Sequence, residues 1–334
     1  LSLAIVDIGG GLVLLSLVGD VRAGVLAIGA MVSVRLYLTQ ALAPIQTIGG
    51  LWQQVQRARV ALDRLGRPFA AEIDPRESPT PREVTTSNVE SSPLTLGAVG
   101  FRYEGRDAAA LADVTLDIPA GQMIAVVGPT GAGKSTLARV VGRIVDPTTG
   151  SVWLGEYSLR DLSLDSTRRL IGLVQQEPFL FAGTIRSNLT YGRPSLDSAA
   201  IEHGLLELGL LEQITALPNG LDTPVAEEGG NLSATTRQAV ALARIWLCRP
   251  DVLLLDEATA LLDDAVERAV LHAIRASDRT TVVITHRRRV AEAADRIVVI
   301  DGGRVSADLV ANDARTSEIL DRLFERPELA GDRV

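Results

Sequence analysis

The chain has 334 residues, enough for two domains, and 46% of them are apolar, a high share for a purely soluble protein. Its formal net charge of −8 argues against nucleic acid as the main partner, because phosphate backbones attract basic proteins. A single cysteine, Cys248, excludes an internal disulfide, and no Cys/His spacing indicates a zinc site.

Residues 1–45 consist of two apolar stretches separated by a short polar turn. The stretches cover residues 1–19 and 25–45, and each is close to the ~20 residues that a helix needs to cross a bilayer. They predict a transmembrane hairpin, and a pair of buried helices in a soluble domain is the alternative. The arginines within residues 57–67 place that end on the cytoplasmic side. Because the first residue is Leu1 rather than Met, we expect a fragment of a longer protein.

A polar segment rich in Pro and Ser covers residues 70–93 and predicts a linker after the membrane part, residues 1–69. Short apolar runs then alternate with helical stretches over residues 94–327. Such runs are typical of strands buried on both faces of a parallel sheet flanked by helices. The sequence therefore predicts an α/β domain that is preceded by transmembrane α-helices and followed by a tail at 328–334. The clearest runs are 123–127, 252–255, 281–284 and 297–300.

A glycine-rich loop stands between the first of these runs and a helical stretch. It fits the pattern G-x-x-x-x-G-K-[ST], in which backbone N–H groups surround a phosphate and the following helix adds its positive end. Only Lys134 among the 33 basic residues is a lysine, which indicates that this position requires a compact ammonium. We expect Lys134 to reach the β- and γ-phosphates and Ser135 to ligate Mg²⁺. The loop comprises Gly128, Pro129, Thr130, Gly131, Ala132, Gly133, Lys134 and Ser135.

Two further runs end in polar residues that suit phosphate chemistry. Val252–Leu255 is followed by Asp256 and Glu257, whose side chains should diverge because orientation alternates along a strand. We expect Asp256 to face the Mg²⁺ shell and Glu257 to act on the attacking water as base or polarising group. His286 follows the run at 281–284, and ligands of parallel sheets bind beyond the carboxyl ends of the strands. A strand that simply exits into solvent is the alternative interpretation of the acidic pair.

The phosphate loop, the acidic pair and the histidine follow one another along the chain as they do in the ATP-binding cassette (ABC) family. The sequence resembles that family, and more narrowly its exporter-type half-transporters. The resemblance implies a P-loop NTPase fold of the ABC type with a helical subdomain. Tyr103, in an F-x-Y pattern, resembles the aromatic residue that stacks on adenine. Gln176 resembles the glutamine that bridges Mg²⁺ or water to the membrane domain, and His286 resembles the switch histidine; both join Glu257 and Lys134 as catalytic candidates. The resemblance also assigns Thr136 and Asp263 to the nucleotide site, the latter in the D-loop.

One motif departs from the family pattern, in which the signature sequence reads LSGGQ. The matching stretch here is Leu232-Ser233-Ala234-Thr235-Thr236, so side chains replace both glycines. In the family this motif acts in trans, because each cassette of a dimer covers the ATP held by the other. Ser233 retains a contact for the partner's ATP, but we expect the signature to be impaired. A heterodimer with a second half-transporter is favoured, and a homodimer is the alternative.

The resemblance implies export of an unidentified substrate across the bacterial inner (plasma) membrane, with Mg²⁺ and ATP bound in the cytoplasm. A first alternative is a soluble ATPase acting on DNA or ribosomes, which would need no membrane hairpin. A second is a module that holds ATP without hydrolysing it; the altered signature favours it, and the intact Glu257 and His286 oppose it. The run Arg287-Arg288-Arg289 is predicted to be a solvated helix start rather than a contact for nucleic acid.

Overall fold

The computed structural model describes residues 2–25, 27–70, 75, 77–89, 91–191, 193, 195–311 and 313–324. The chain divides into two compact units, Leu1–Ile73 and Asp74–Val334. The first division predicted from the sequence, after residue 69, lies close to this boundary. The tail predicted at 328–334 lies outside the described residues.

The described part of the first unit consists of two helices, α1 (Ser2–Arg22) and α2 (Ile28–Ala70). They correspond to the two predicted apolar stretches, and α2 continues through the predicted arginine-rich extension. With 43 residues, α2 is about 65 Å long at a rise of 1.5 Å per residue. In the searched part of the chain, no helix is both long and apolar enough to cross a membrane. The side chains of residues 1–10 and 42–45, within the predicted spans, lie outside the described part.

The second unit alternates short helices and strands. Its helices are α3 (Thr86–Val89), α4 (Lys134–Val141), α5 (Leu164–Leu170), α6 (Ile185–Leu189), α7 (Ser198–Glu207), α8 (Leu211–Thr215), α9 (Ala234–Leu247), α10 (Asp264–Arg275), α11 (Arg288–Glu292) and α12 (Ala314–Phe324). Its strands are β1 (Leu94–Phe101), β2 (Leu111–Ile118), β3 (Met123–Val127), β4 (Thr149–Leu154), β5 (Tyr157–Ser158), β6 (Ile171–Val174), β7 (Gly183–Thr184), β8 (Pro224–Val225), β9 (Val252–Asp256), β10 (Thr280–Ile284), β11 (Arg296–Asp301) and β12 (Arg304–Val310).

A six-stranded sheet with the order β12-β11-β3-β10-β9-β6 forms the centre of this unit. All neighbours are parallel except the edge pair β11–β12. Every residue of β3, β9 and β10 is buried, which confirms the prediction of strands covered on both faces. Ile284 at the end of β10 pairs with Val126 on one side and Asp256 on the other. The carboxyl ends of the three strands therefore lie side by side, and this edge carries the predicted phosphate-loop, acidic and histidine motifs.

Two hydrophobic cores cover the two faces of the central sheet. Alternate strand residues contribute to different cores: Ile124 and Leu254 pack with the four-stranded sheet β2-β1-β4-β5, whereas Leu253 and Leu255 pack with helices α6 to α9. The latter core contains the leucines of the predicted helical subdomain. The mixed α/β architecture with a helical subdomain agrees with the prediction.

The segment predicted as a linker, residues 70–93, is partly integrated into the second unit. Arg82 forms a parallel bridge with Leu162, and Val84 and Val89 are almost completely buried. The amide of Val84 also donates to the Ser166 hydroxyl at 3.0 Å. Its Pro- and Ser-rich composition gave no sign of this packing, because few of its side chains are apolar.

Candidate functional site

The phosphate loop connects β3 to α4 and depends on glycines at two places. Gly128 and Gly133 have φ angles of 150° and 104°, in the region that favours glycine. A Cβ atom on Gly128 would lie 2.0 Å from the Ile300 carbonyl oxygen, and one on Gly133 would lie 2.3 Å from that of Ala110. The loop can therefore follow this path against neighbouring backbone only with glycine at both positions. Ala132 is buried within the same loop.

Lys134 lies at the first position of α4 with only 6% of its surface exposed. Its ammonium group donates to the carbonyl oxygens of Gly128 at 2.8 Å and Pro129 at 2.9 Å, so it points back across the loop. Burial lowers the pKa of Lys134, and the nearby carboxylates of Glu257 and Asp256 oppose that shift. The loop thus holds a partly desolvated positive charge at its mouth.

Ser135 and Asp256 bring two oxygen ligands together. The Ser135 hydroxyl donates to Oδ1 of Asp256 at 3.2 Å. Asp256 ends β9 with 7% exposure, and burial raises the pKa of its carboxyl group, while the hydrogen bond from Ser135 opposes the rise. A hydroxyl beside a carboxylate is a donor set that suits a hard cation such as Mg²⁺.

Glu257 points away from Asp256 and contacts two other predicted residues. Its Oε2 accepts a hydrogen bond from Nε2 of Gln176 at 3.1 Å, and its Oε1 lies 3.3 Å from Nε2 of His286. Glu257 has a φ of 53°, which is uncommon for a residue with a side chain, and its amide donates to the Ile284 carbonyl at 3.0 Å. The two carboxylates diverge as predicted, because the backbone turns sharply after β9.

The remaining predicted aromatic residue, Tyr103, lies at the side of the phosphate loop. Its ring packs edge-on against Phe101, with centroids 4.8 Å apart and planes at 86°. Its hydroxyl lies 3.2 Å from Oγ1 of Thr136 and accepts from the Arg139 guanidinium at 3.3 Å. These contacts hold the ring on the core while part of it stays exposed.

An open cleft of about 650 Å³ unites most of these groups. Of the predicted residues, those that line it are Tyr103, Thr130, Gly131, Gly133, Lys134, Ser135, Thr136, Gln176, Glu257 and His286. Asp256 lies behind Ser135, and Gly128, Pro129 and Ala132 form the base of the loop. Tertiary structure thus brings together residues that are far apart in sequence.

Ser233 and Asp263 do not line this cleft in the described part of the chain. Each caps a helix instead: Ser233 accepts from the Thr236 amide at the start of α9, and Asp263 accepts from the first amides of α10. Ser233 is exposed, as a residue acting on another chain would have to be. Their predicted roles at the nucleotide of a dimer stay predictions.

Sequence reasoning missed part of the cleft wall. Arg106 and Ala108–Ala110 line the cleft beside Tyr103, and Arg139 contacts the Tyr103 hydroxyl from α4. Arg106 is held near Tyr103 by a backbone hydrogen bond of 3.1 Å between them. The available signal was a basic residue only three positions after the aromatic one.

Comparison of the sequence with known proteins identifies the same motifs that form this cleft. The sequence model of the ABC transporter family matches residues 111–260, which include the phosphate loop, the altered signature and the acidic pair. Residues 111–260 form a domain of the ABC transporter family. The second unit of the chain is therefore an ABC-type ATP-binding domain, the ATPase domain of this family.

Relatives extend the similarity beyond that domain. The chain is 43% identical over 299 residues, 89% of its length, to a multidrug efflux ATP-binding/permease protein of Mycobacterium bovis, of which it covers 25%. It is 33% identical to an ATM1-type heavy metal exporter of Novosphingobium aromaticivorans, over 89% of the chain and 49% of the exporter. It is 35% identical to an ATP-dependent lipid A-core flippase of Thiobacillus denitrificans, over 90% of the chain and 52% of the flippase.

A solved structure of a bacterial Atm1-family ABC exporter with ATP bound is similar over 99% of this chain and 57% of that one, with a TM-score of 0.73 and 31% identity. The chain thus spans between a quarter and about half of the relatives it matches. In these exporters its residues correspond to the C-terminal part of a half-transporter.

Proposed function

We propose that this chain binds and hydrolyses ATP as one half of an ABC exporter and couples hydrolysis to export of a substrate still to be identified. The observation that carries the proposal is the Glu257 carboxylate, held by Gln176 and His286 at the edge of the phosphate-loop cleft. The names of its relatives, which include an efflux protein, a heavy metal exporter and a flippase, support export as the transport direction.

The cleft fits a magnesium nucleotide. The loop backbone between Gly128 and Gly133 leaves no room for side chains at those two positions, and Lys134 supplies a buried ammonium for the β- and γ-phosphates. Ser135 and Asp256 offer oxygen ligands, and Gln176, which lines the same cleft, would contribute a third. Phosphate oxygens of the nucleotide would supply further ligands for Mg²⁺.

Each residue then has a defined task in hydrolysis. Tyr103 stacks on adenine, and Lys134 and the loop amides hold the phosphates. Ser135, Asp256 and Gln176 would hold Mg²⁺, which would supply positive charge against the oxygens of the transferred group. Glu257 orients the attacking water and accepts its proton. Gln176 and His286 keep that carboxylate directed into the cleft, because each contacts a different oxygen of it.

The proposal includes an assembly and a location, which the exporter relatives support. Residues 1–69 would form the end of the membrane domain of a transporter in the bacterial inner membrane, with the ATP-binding domain in the cytoplasm. A second half-transporter would complete the molecule, and a heterodimer is favoured over a homodimer. The altered signature of this chain would cover the ATP of the partner, while the partner's signature would meet the phosphate loop described here.

The altered signature also favours a second candidate function, a subunit that holds ATP without hydrolysing it. Replacement of Glu257 by Gln separates the two. In the complete transporter, Glu257→Gln should reduce ATP hydrolysis by about a hundredfold to ten-thousandfold, as expected for loss of a general base, with ATP binding retained. ATPase rates and equilibrium nucleotide binding would be measured together.

The matched control is Glu202→Gln, which makes the same chemical change at an exposed position of α7 and should leave hydrolysis unchanged. If the transporter binds ATP and Glu257→Gln hydrolyses it at the parental rate, this chain's site is not the hydrolytic one and the holding function is favoured.

A further inference from the structure

The three arginines that follow His286 are engaged in ion pairs rather than merely solvated. Arg287 precedes α11, and Arg288 and Arg289 form its first turn, so the prediction of a helix start is confirmed. Arg288 pairs with Glu292 of the same helix and with Asp321 of α12. Arg287 and Arg289 instead turn toward α10. This division of partners separates Arg288 from its two neighbours.

Glu267 of α10 receives both of these arginines. It has no exposed surface, and its Oε1 accepts from Nη1 of Arg287 at 2.7 Å. Its Oε2 accepts from Arg289 through Nε at 3.1 Å and Nη2 at 2.5 Å. A buried carboxylate is strongly unfavourable unless it is paired and hydrogen-bonded, so this charge depends on both arginines.

Asp264, one helical turn before Glu267, closes the cluster at its exposed side. Its Oδ1 accepts from Arg289 at 2.6 Å and from Arg287 at 3.1 Å. The hydrogen bond from Arg289 is the main reason that the pKa of Asp264 falls to about 2. Two acids on one face of α10 thus hold two arginines, and we call these four residues the α10–α11 ion cluster.

The ion cluster connects the chain segments that follow two of the catalytic candidates, Glu257 and His286. Arg287 is the residue after His286, and its amide donates to the Thr285 hydroxyl at 2.9 Å. The acids of the cluster belong to the other segment, because α10 begins at Asp264, seven residues after Glu257. The His286 side chain is 44% exposed and lies 3.3 Å from Glu257, so little packing holds it in place. Its position depends on the backbone to which it is attached.

We propose that Glu267 is a positioning residue that fixes His286 against Glu257 by anchoring Arg287 and Arg289. The inference rests on the proposed ATPase function and adds to it a residue outside the cleft. Because Glu267 acts through His286, its loss should slow the chemical step. Nucleotide binding should change little, because Tyr103, Lys134 and the loop amides lie on other elements.

The test uses the complete transporter and compares kcat and KM for ATP. Glu267→Gln should lower kcat about tenfold or more and change KM less than about threefold, because hydrogen bonds to charged groups are lost while nucleotide contacts remain. Arg289→Ala should act in the same direction. Since Arg289 is 41% exposed, this second variant is less prone to unfold the domain. Arg288→Ala is the matched control, because that arginine pairs with α11 and α12, and its kcat should match the parent.

A double-mutant cycle with His286→Ala gives the decisive readout. If Glu267 acts through His286, Glu267→Gln should reduce kcat in the parent but cause no further reduction in the His286→Ala background. Equal reductions in both backgrounds would overturn the inference, as would a change confined to KM or an Arg288→Ala defect equal to that of Arg289→Ala. Failure of the proposed function itself would look different: the parent transporter would show no hydrolysis sensitive to Glu257→Gln.

Discussion

At the scale of single residues, the adjacent acids Asp256 and Glu257 lie in different surroundings. Asp256 is buried and bonded to Ser135, whereas Glu257 turns toward Gln176 and His286. The difference arises because β9 ends at Asp256 and Glu257 adopts a positive φ. Neighbouring acids can therefore serve a cation and a water molecule separately.

The buried carboxylate of Asp256 should lower the stability of the nucleotide-free domain. Burial raises its folded-state pKa, so its charge opposes folding above that pKa, and the cost disappears as the pH falls below the unfolded-state value. Asp256→Asn should therefore raise the melting temperature at neutral pH by about 2–4 °C, the shift expected from ~1 kcal/mol in a domain of this size. Mg²⁺-dependent nucleotide binding should be weakened by the same change.

Thermal unfolding without nucleotide, followed from neutral to acidic pH, measures the Asp256 effect. The gain over the parent should shrink as the pH falls. A variant that melts below the parent at neutral pH would show that the hydrogen bond from Ser135 outweighs the cost of burial.

Tyr103 offers a second prediction at this scale. Tyr103→Ala should weaken ATP binding by roughly 1–3 kcal/mol, the range for loss of base–aromatic stacking. Tyr103→Trp should be tolerated, and Tyr103→Phe keeps the ring while losing the contacts with Thr136 and Arg139. The ATP affinity of all three variants would be measured by equilibrium nucleotide binding. If Tyr103→Ala binds ATP with unchanged affinity, Tyr103 does not stack on adenine and serves only to pack against Phe101.

At the scale of elements, helix α9 links the altered signature to the segment that follows Glu257. The Thr235 hydroxyl donates to the Leu261 carbonyl at 3.0 Å, and Gln238, which is fully buried, donates to the Ala258 carbonyl at 2.8 Å. Glycine at position 235 could not make the first of these bonds. The substituted signature therefore contributes a contact within its own chain, in addition to any effect on a partner's ATP.

At the scale of the whole molecule, the chain combines the intact catalytic candidates Lys134, Glu257 and His286 with a signature that lacks both glycines. In a homodimer both ATP sites would face this signature, and a complete catalytic set would have little use. In a heterodimer the working site would combine this phosphate loop with the partner's signature. We therefore expect unequal ATP sites in the assembled transporter.

Restoring the signature tests that asymmetry. With Ala234→Gly, Thr235→Gly and Thr236→Gln combined, the ATPase rate of the complete transporter should change less than about twofold, as for substitutions away from the working site. The partner's own catalytic residues limit what a better signature can add. Steady-state ATPase assays of the transporter and of the chain purified alone provide the measurement.

The restored signature also loses the hydrogen bond from Thr235 to Leu261, so the effect of that loss on the ATPase rate must be measured separately. Thr235→Val removes the hydroxyl and Thr235→Ser retains it. The difference between their ATPase rates measures the effect of this contact within the chain. If the restored chain, purified alone, hydrolyses ATP many-fold faster than the parent, a homodimer is the correct assembly.

The sequence by itself determined the parts whose signals are local. The phosphate loop, the buried strands and the acidic pair follow from short patterns, because glycine spacing and runs of apolar residues are visible within a few positions of the chain. The composition of residues 70–93 does not reveal that Val84 and Val89 are buried, because the partners that bury them lie elsewhere in the chain.

Only the tertiary structure decided which of these residues meet. Gln176 reaches Glu257 across 81 residues, and Arg287 reaches Glu267 across 20. The first contact arises because β6, which precedes Gln176, pairs with β9, which ends before Glu257. The second arises because α10 connects β9 to its other neighbour, β10, after which Arg287 follows. Strand order is set by packing of the whole domain, so a local pattern that predicts each strand does not predict its neighbours.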